Sequence, residues 1–169
     1  CAILPATKTR KLHTSRRDAF KPVNDTIIAR IDYDARKIEF VKKNYEKNSD
    51  KKLVVRDSFE EKVGLIKCHP NMFKQQFDFF KGYKGLVIEG TGLGNGPVDV
   101  IDKETKEHEK ILKAVAKLSK KIPVVMTTQC IHGRIDMDVY SYGRKLQQAG
   151  VIGNGTDMLT ETAFVKLAW

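Results

Sequence analysis

The chain has 169 residues, 41% of them hydrophobic and 31% charged, with 31 Lys and Arg against 21 Asp and Glu for a formal net charge of +10. That balance describes one soluble domain, or a domain with an arm, long enough to bury a core. No run approaches the roughly 18 apolar residues of a membrane span, and the basic start has no apolar stretch behind it to make a secretory signal, so the cytoplasm is the default compartment.

Residues 1–24 read as a basic, loop-like segment broken by Pro5 and Pro22. "TIIARIDYD" and "KIEFV" follow as short β-rich runs around the turn-like Asp34-Ala35-Arg36, a hairpin pattern. The polar "KKNYEKNSDKK" reads as an exposed loop, and the expected domain boundary falls there, between residues 1–50 and 51–169. Beyond it "VGLIKCH", "GLVIEG" and "IPVVMTTQC" are near-continuous apolar runs of strand length, the pattern of strands buried on both faces. Helical patterns lie between and after them, at Pro70 to Phe80, Glu107 to Lys121, Val139 to Ala149 and Met158 to Trp169, the last with Asp157 as expected N-cap. Strand and helix alternating with short connections predict an α/β fold, an open parallel sheet with right-handed crossovers. Ligands in such sheets sit at the carboxyl ends of the strands, here His69-Pro70-Asn71, Glu89 to Gly92 and Thr127 to Gln129.

The surplus of positive charge leaves an RNA-binding α/β module open, but without a recognition motif, and with lysines spread from Lys8 to Lys166, solvated faces explain it as well. "EGTGLGNG" matches neither the dinucleotide fingerprint nor the P-loop, and stays a Gly-rich turn where backbone can approach a ligand closely. Cys1, Cys68 and Cys130 form no C-x-x-C pair and read as reduced, buried thiols. The four histidines lack metal-ligand spacing, and His108 is expected to be exposed. Cys1 as an amino-terminal nucleophile conflicts with a parallel α/β pattern, and no G-x-S-x-G elbow is present. The start on Cys1 and the end on Trp169, within a helical pattern, read as those of a piece of something longer.

Taken in order, "RKLHTSRRDAFKPVN", "VGLIKCHPNMF", "GLVIEGTGLGNG", "VVMTTQCIHGRIDMDVYSYGRKLQQAGVI" and "DMLTETAFVKLAW" resemble the asparaginase-like D subunits of archaeal glutamyl-tRNA(Gln) amidotransferases. The resemblance covers nearly the whole chain, and its first and last motifs are nearer to these subunits than to free L-asparaginases. It implies a flavodoxin-like carboxyl-terminal domain preceded by the end of a larger amino-terminal α/β domain. It also implies a glutamine amidase subunit that releases ammonia for converting Glu-tRNA(Gln) to Gln-tRNA(Gln), with a free cytosolic L-asparaginase as the rival reading. ATP and Mg2+ would belong to a tRNA-binding partner subunit that activates the glutamate, and the core would be a homodimer.

Matching the family's Phe and Asn to Phe20 and Asn24 places the family's catalytic lysine on Lys11, with Lys8 as the competing register. A lysine drawn partly out of water gives up its proton more readily and can accept one from a hydroxyl. The family's threonine nucleophile, its Tyr partner and the Thr-Asp pair have no counterpart here, so these 169 residues alone are expected to be inactive. Asn95, in the "GLGNG" turn, is the candidate for a substrate-side hydrogen bond across a subunit interface, and Gln129 is a second at the neighbouring strand end. Arg16 and Arg17 receive no role.

Overall fold

The computed structural model describes residues 1–169, and the chain divides into two units, Cys1–Arg56 and Asp57–Trp169. In the first unit the opening segment is not a loop. β1 (Ala2–Ile3) is followed by β2 (Thr9–Lys11) and β3 (Phe20–Pro22), and the latter two pair antiparallel from Thr9↔Pro22 to Lys11↔Phe20. Charged residues on an exposed ribbon give no hydrophobic alternation, so sequence periodicity cannot register these strands; their backbone ladder holds them. It is extended by Val23 N–H donating to Lys8 O at 2.7 Å and Leu12 N–H to Ala19 O at 2.8 Å.

The predicted hairpin is present as β4 (Ala29–Asp32) and β5 (Lys37–Phe40), with β1 antiparallel on the far side of β4. Asp32 Oδ1 accepts the Ala35 N–H at 2.9 Å, and Arg36 takes a left-handed φ of 51° to close the turn.

The second unit holds the predicted parallel sheet, β6 (Val63–Lys67), β7 (Gly85–Gly90) and β8 (Val124–Thr128), in that spatial order. Ile152 adds a parallel bridge to Val125 beyond β8. Only β7 is buried along its whole length; β6 is an edge strand with Leu65 47% exposed, so the expectation of three doubly covered strands holds for the centre alone. The helices are α1 (Lys74–Asp78), α2 (Glu107–Ser119), α3 (Ser141–Gln148) and α4 (Thr160–Ala168). Ile111, Ala114, Val115 and Leu118 form one stripe of α2 at helical spacing, and share a core with Leu86 and Ile88 of β7 and Val124 and Met126 of β8. Val87 points the other way, to the face where α4 lies against the sheet.

Two helices begin later than their patterns suggest. Phe73 is extended (φ −128°, ψ 152°) and donates its N–H to Gln76 Oε1 at 2.8 Å, so α1 starts at Lys74. Leu159, not Asp157, occupies the N-cap of α4; Asp157 instead faces Arg134 at 3.4 Å. Cys68 is buried as expected, whereas Cys1 and Cys130 are exposed. His108 is half-buried rather than exposed, its Nδ1 2.7 Å from Asp99 O. No helix is long and apolar enough to cross a membrane.

Candidate functional site

At the carboxyl end of β7 the chain reverses within five residues. Thr91 and Asn95 exchange backbone hydrogen bonds (Thr91 N–H to Asn95 O, 2.8 Å; Asn95 N–H to Thr91 O, 2.9 Å), and Gly94 N–H adds a third to Thr91 O at 3.0 Å. Glycine is required at two places. A Cβ on Gly90 would lie 2.7 Å from both Asn95 O and Met126 Sδ, and Gly94 has φ +97° against Met137 and Met126. The reversal holds Asn95 with its Oδ1 buried and without a hydrogen-bond partner. A buried acceptor left unpaired costs free energy, so a donor arriving there would relieve a standing penalty.

Asn95 and Thr91 line a cavity of about 390 Å³ with Cys68, His69, Tyr140 and Tyr142. Its neighbours are fixed from below. Thr128 Oγ1 donates to Gly92 O at 2.6 Å, the Gln129 N–H donates to Gly90 O at 2.9 Å, and Gln129 Nε2 donates to Cys68 O at 2.6 Å and to Glu89 O at 3.2 Å. Both amide protons of Gln129 are thereby committed to strand-end carbonyls, and the side chain ties β6 to β7. Glu89 is buried with its carboxylate 3.1 Å from Lys67 Nζ. Burial, and secondarily the Glu89 charge, push the Cys68 thiol up to about 12, so at neutral pH it lines the cavity as a thiol and not as a nucleophile.

Tyr140 and Tyr142 are placed by the start of α3, which Asp99 anchors. Its carboxylate accepts from Ser141 Oγ at 2.5 Å and is bonded to Lys145, and those two partners, Lys145 foremost, hold the Asp99 carboxyl below its usual range. The polar groups of the cavity are an amide, a hydroxyl, an imidazole and two phenols, a set suited to hydrogen-bonding a ligand. Of these, the strand-end rule pointed to His69 and Thr91, while nothing in the sequence singled out the two tyrosines.

Lys11 belongs to the first unit. It is exposed on β2, opposite Phe20 in the ladder, with Nζ 5.9 Å from the Phe20 ring centre. The ribbon tip beyond it is built from polar contacts: His13 Nδ1 accepts the Ser15 and Arg16 N–H groups at 3.2 Å, and Arg16 grips both Asp18 oxygens at 2.8 Å. Arg16, with Lys21 second, holds the Asp18 carboxyl below its ordinary value. Arg16 thus has a local structural role; Arg17 is exposed.

Comparison with known proteins places the chain by family and fold. Residues 62–169 match the glutaminase/asparaginase C-terminal domain. The whole chain is 50% identical to the D subunit of glutamyl-tRNA(Gln) amidotransferase from Pyrococcus abyssi and 49% identical to that from Pyrococcus furiosus, and it spans 36% of the length of each. The thermostable L-asparaginase of Thermococcus kodakarensis superposes with a TM-score of 0.84 at 25% identity, over 99% of this chain and 48% of that one.

Proposed function

This chain belongs to the glutaminase/asparaginase family through its carboxyl-terminal domain, and on that premise we propose that it is part of a D subunit of glutamyl-tRNA(Gln) amidotransferase, a glutamine amidase releasing ammonia for the conversion of Glu-tRNA(Gln) to Gln-tRNA(Gln). What supports this reading over a free L-asparaginase is the identity of 49–50% across the whole chain to relatives of that name, against 25% to an L-asparaginase of the same shape. In this reading residues 1–50 are the end of the amino-terminal domain with its linker, and residues 51–169 form the second domain. Lys11 accepts a proton from a hydroxyl nucleophile elsewhere in the subunit. Asn95 offers its unpaired Oδ1 to substrate bound by a second copy of the subunit, and Gln129 supports that turn through the carbonyls it holds. A tRNA-binding partner subunit uses ATP and Mg2+ to activate the glutamate, and the assembly works in the cytoplasm.

The test is ammonia release from glutamine and from asparagine by the intact subunit with its partner. Lys11→Met should lower kcat by about 10²–10⁴-fold, the range for a general acid–base group, with little change in KM. Asn95→Ala should raise KM. A large loss in Lys8→Met with a mild effect at Lys11 would move the base to Lys8. Partner-independent activity confined to asparagine would favour the free asparaginase. The 169-residue chain alone should release no ammonia.

A further inference from the structure

The opposite pole of the parallel sheet, where β7 and β8 begin and α2 ends, carries a cleft of about 540 Å³. Lys81, Lys84, Lys117, Lys120 and Lys121 line it, and Asp78 is its one carboxylate. Asp78 is already engaged by Lys74 and by Lys81, the latter at 3.1 Å. Lys84, Lys117, Lys120 and Lys121 are therefore cations without a facing carboxylate in the cleft.

Cations at a helix carboxyl terminus offset the helix dipole, which accounts for Lys117 and Lys120 at the end of α2. It does not account for Lys84, which the α1–β7 connection brings to the same cleft. Like charges gathered around one depression repel each other and concentrate anions there. Beneath them the floor is apolar, from Phe80, Leu118 and Ile122, with the Tyr83 ring at the wall. Gly82 (φ +92°) leaves open space where a Cβ would stand, so an anion can reach the backbone. The cations are all lysines, point charges on flexible stems that can follow a run of phosphates without the fixed geometry of an arginine fork.

We propose that this cleft seats the phosphate backbone of an RNA strand, held by Lys84, Lys117, Lys120 and Lys121 without reading its sequence. The RNA site stands apart from the amidase reading, since it requires no reaction at the other pole of the sheet. It is tested on the intact protein by measuring affinity for unfractionated tRNA across salt concentrations, comparing wild type with a variant carrying K84Q, K117Q, K120Q and K121Q. Removing one lysine–phosphate pair lowers the log–log salt slope by about 0.7–0.9, so the variant should drop by about 3 in slope and bind at least about tenfold more weakly at low salt. A second variant with K37Q, K43Q, K51Q and K52Q removes the same net charge from the first unit and should keep the wild-type slope within about 1. Replacing the four cleft lysines by arginine should restore binding. The proposal is overturned by an unchanged slope in the cleft variant, or by equal losses in both glutamine variants, which would show an effect of net charge alone. It is also overturned if the cleft variant loses affinity for poly-L-glutamate while retaining the RNA slope, which would assign the cleft to an acidic protein.

Discussion

Cys1–Arg56 buries three apolar side chains, Ala19, Val23 and Ala29, while Asp57–Trp169 buries a continuous cluster running from Cys68 to Val151 across the parallel sheet. The first unit is closed mainly by polar staples: the β2–β3 ladder, Arg16 on Asp18, and Lys42 Nζ on both Asp25 oxygens at 2.7 and 2.8 Å. The second is closed by close-packed side chains around a buried strand. Equal-looking substitutions should therefore act differently in the two.

The largest contrast is expected from a phenylalanine pair. Phe77, 1% exposed in the core, should cost about 3–5 kcal/mol when changed to Ala. Phe40, 54% exposed and stacked on Tyr45 with ring centres 5.0 Å apart, should cost about 0.5–1.5 kcal/mol, the worth of an aromatic pair. Urea unfolding measures both; equal costs would break the comparison. Next in size is Gly90→Ala, whose Cβ collides with Asn95 O and Met126 Sδ. Overpacking of this kind costs about 1–3 kcal/mol and should displace Asn95, so KM should rise in the intact enzyme together with the loss of stability. Gln129→Met follows, because it strips the carbonyls of Cys68 and Glu89 of their side-chain donor. A cost of about 1–2 kcal/mol is expected from two part-buried acceptors deprived of that donor. A KM effect without any loss of stability would return Gln129 to direct substrate contact.

These contrasts also explain what could be read from the sequence. "GLVIEG" announced a strand buried on both faces because all but one of its residues are apolar or small; the exception, Glu89, is paired by Lys67 in the structure. The α2 stripe was visible for the same reason: its burial repeats at the period of a helix. "TRKLHTSRRDAFKP" concealed a ribbon, since its strands are held by backbone bonds and its side chains face water. The edge position of β6 was hidden too, because an apolar run looks the same whether one face or both are covered, and strand order is set by the chain as a whole. At the site, the strand-end rule reached His69, Thr91 and Gln129, but not the division of labour among them. That Gln129 ties carbonyls while Asn95 keeps an unpaired oxygen depends on distances across residues 61 apart in sequence, as between Gln129 and Cys68.

The smallest expected effect is a local one, on the acid side of the first unit. Lys42, foremost, and the Thr26 N–H at 2.7 Å hold the Asp25 carboxyl below its usual value in the folded chain. An Asp in the unfolded chain titrates near about 3.9, so between that pH and the lower folded value the unfolded state binds a proton that the folded state refuses. The stabilisation from this pair is therefore complete above about pH 4 and is lost as pH falls through the folded value. The pair joins the loop before β4 to the residues after β5, so its loss should loosen the hairpin ends while leaving the core of β7 intact. Amide hydrogen exchange between about pH 5 and pH 3, corrected for intrinsic rates, should show protection of Ala29 to Phe40 falling relative to Gly85 to Gly90. Asp25→Asn should make that ratio low and nearly independent of pH across the same window. A parallel fall in both segments would mean that acid acts on the whole fold, and that the polar staples of the first unit are not what distinguishes it.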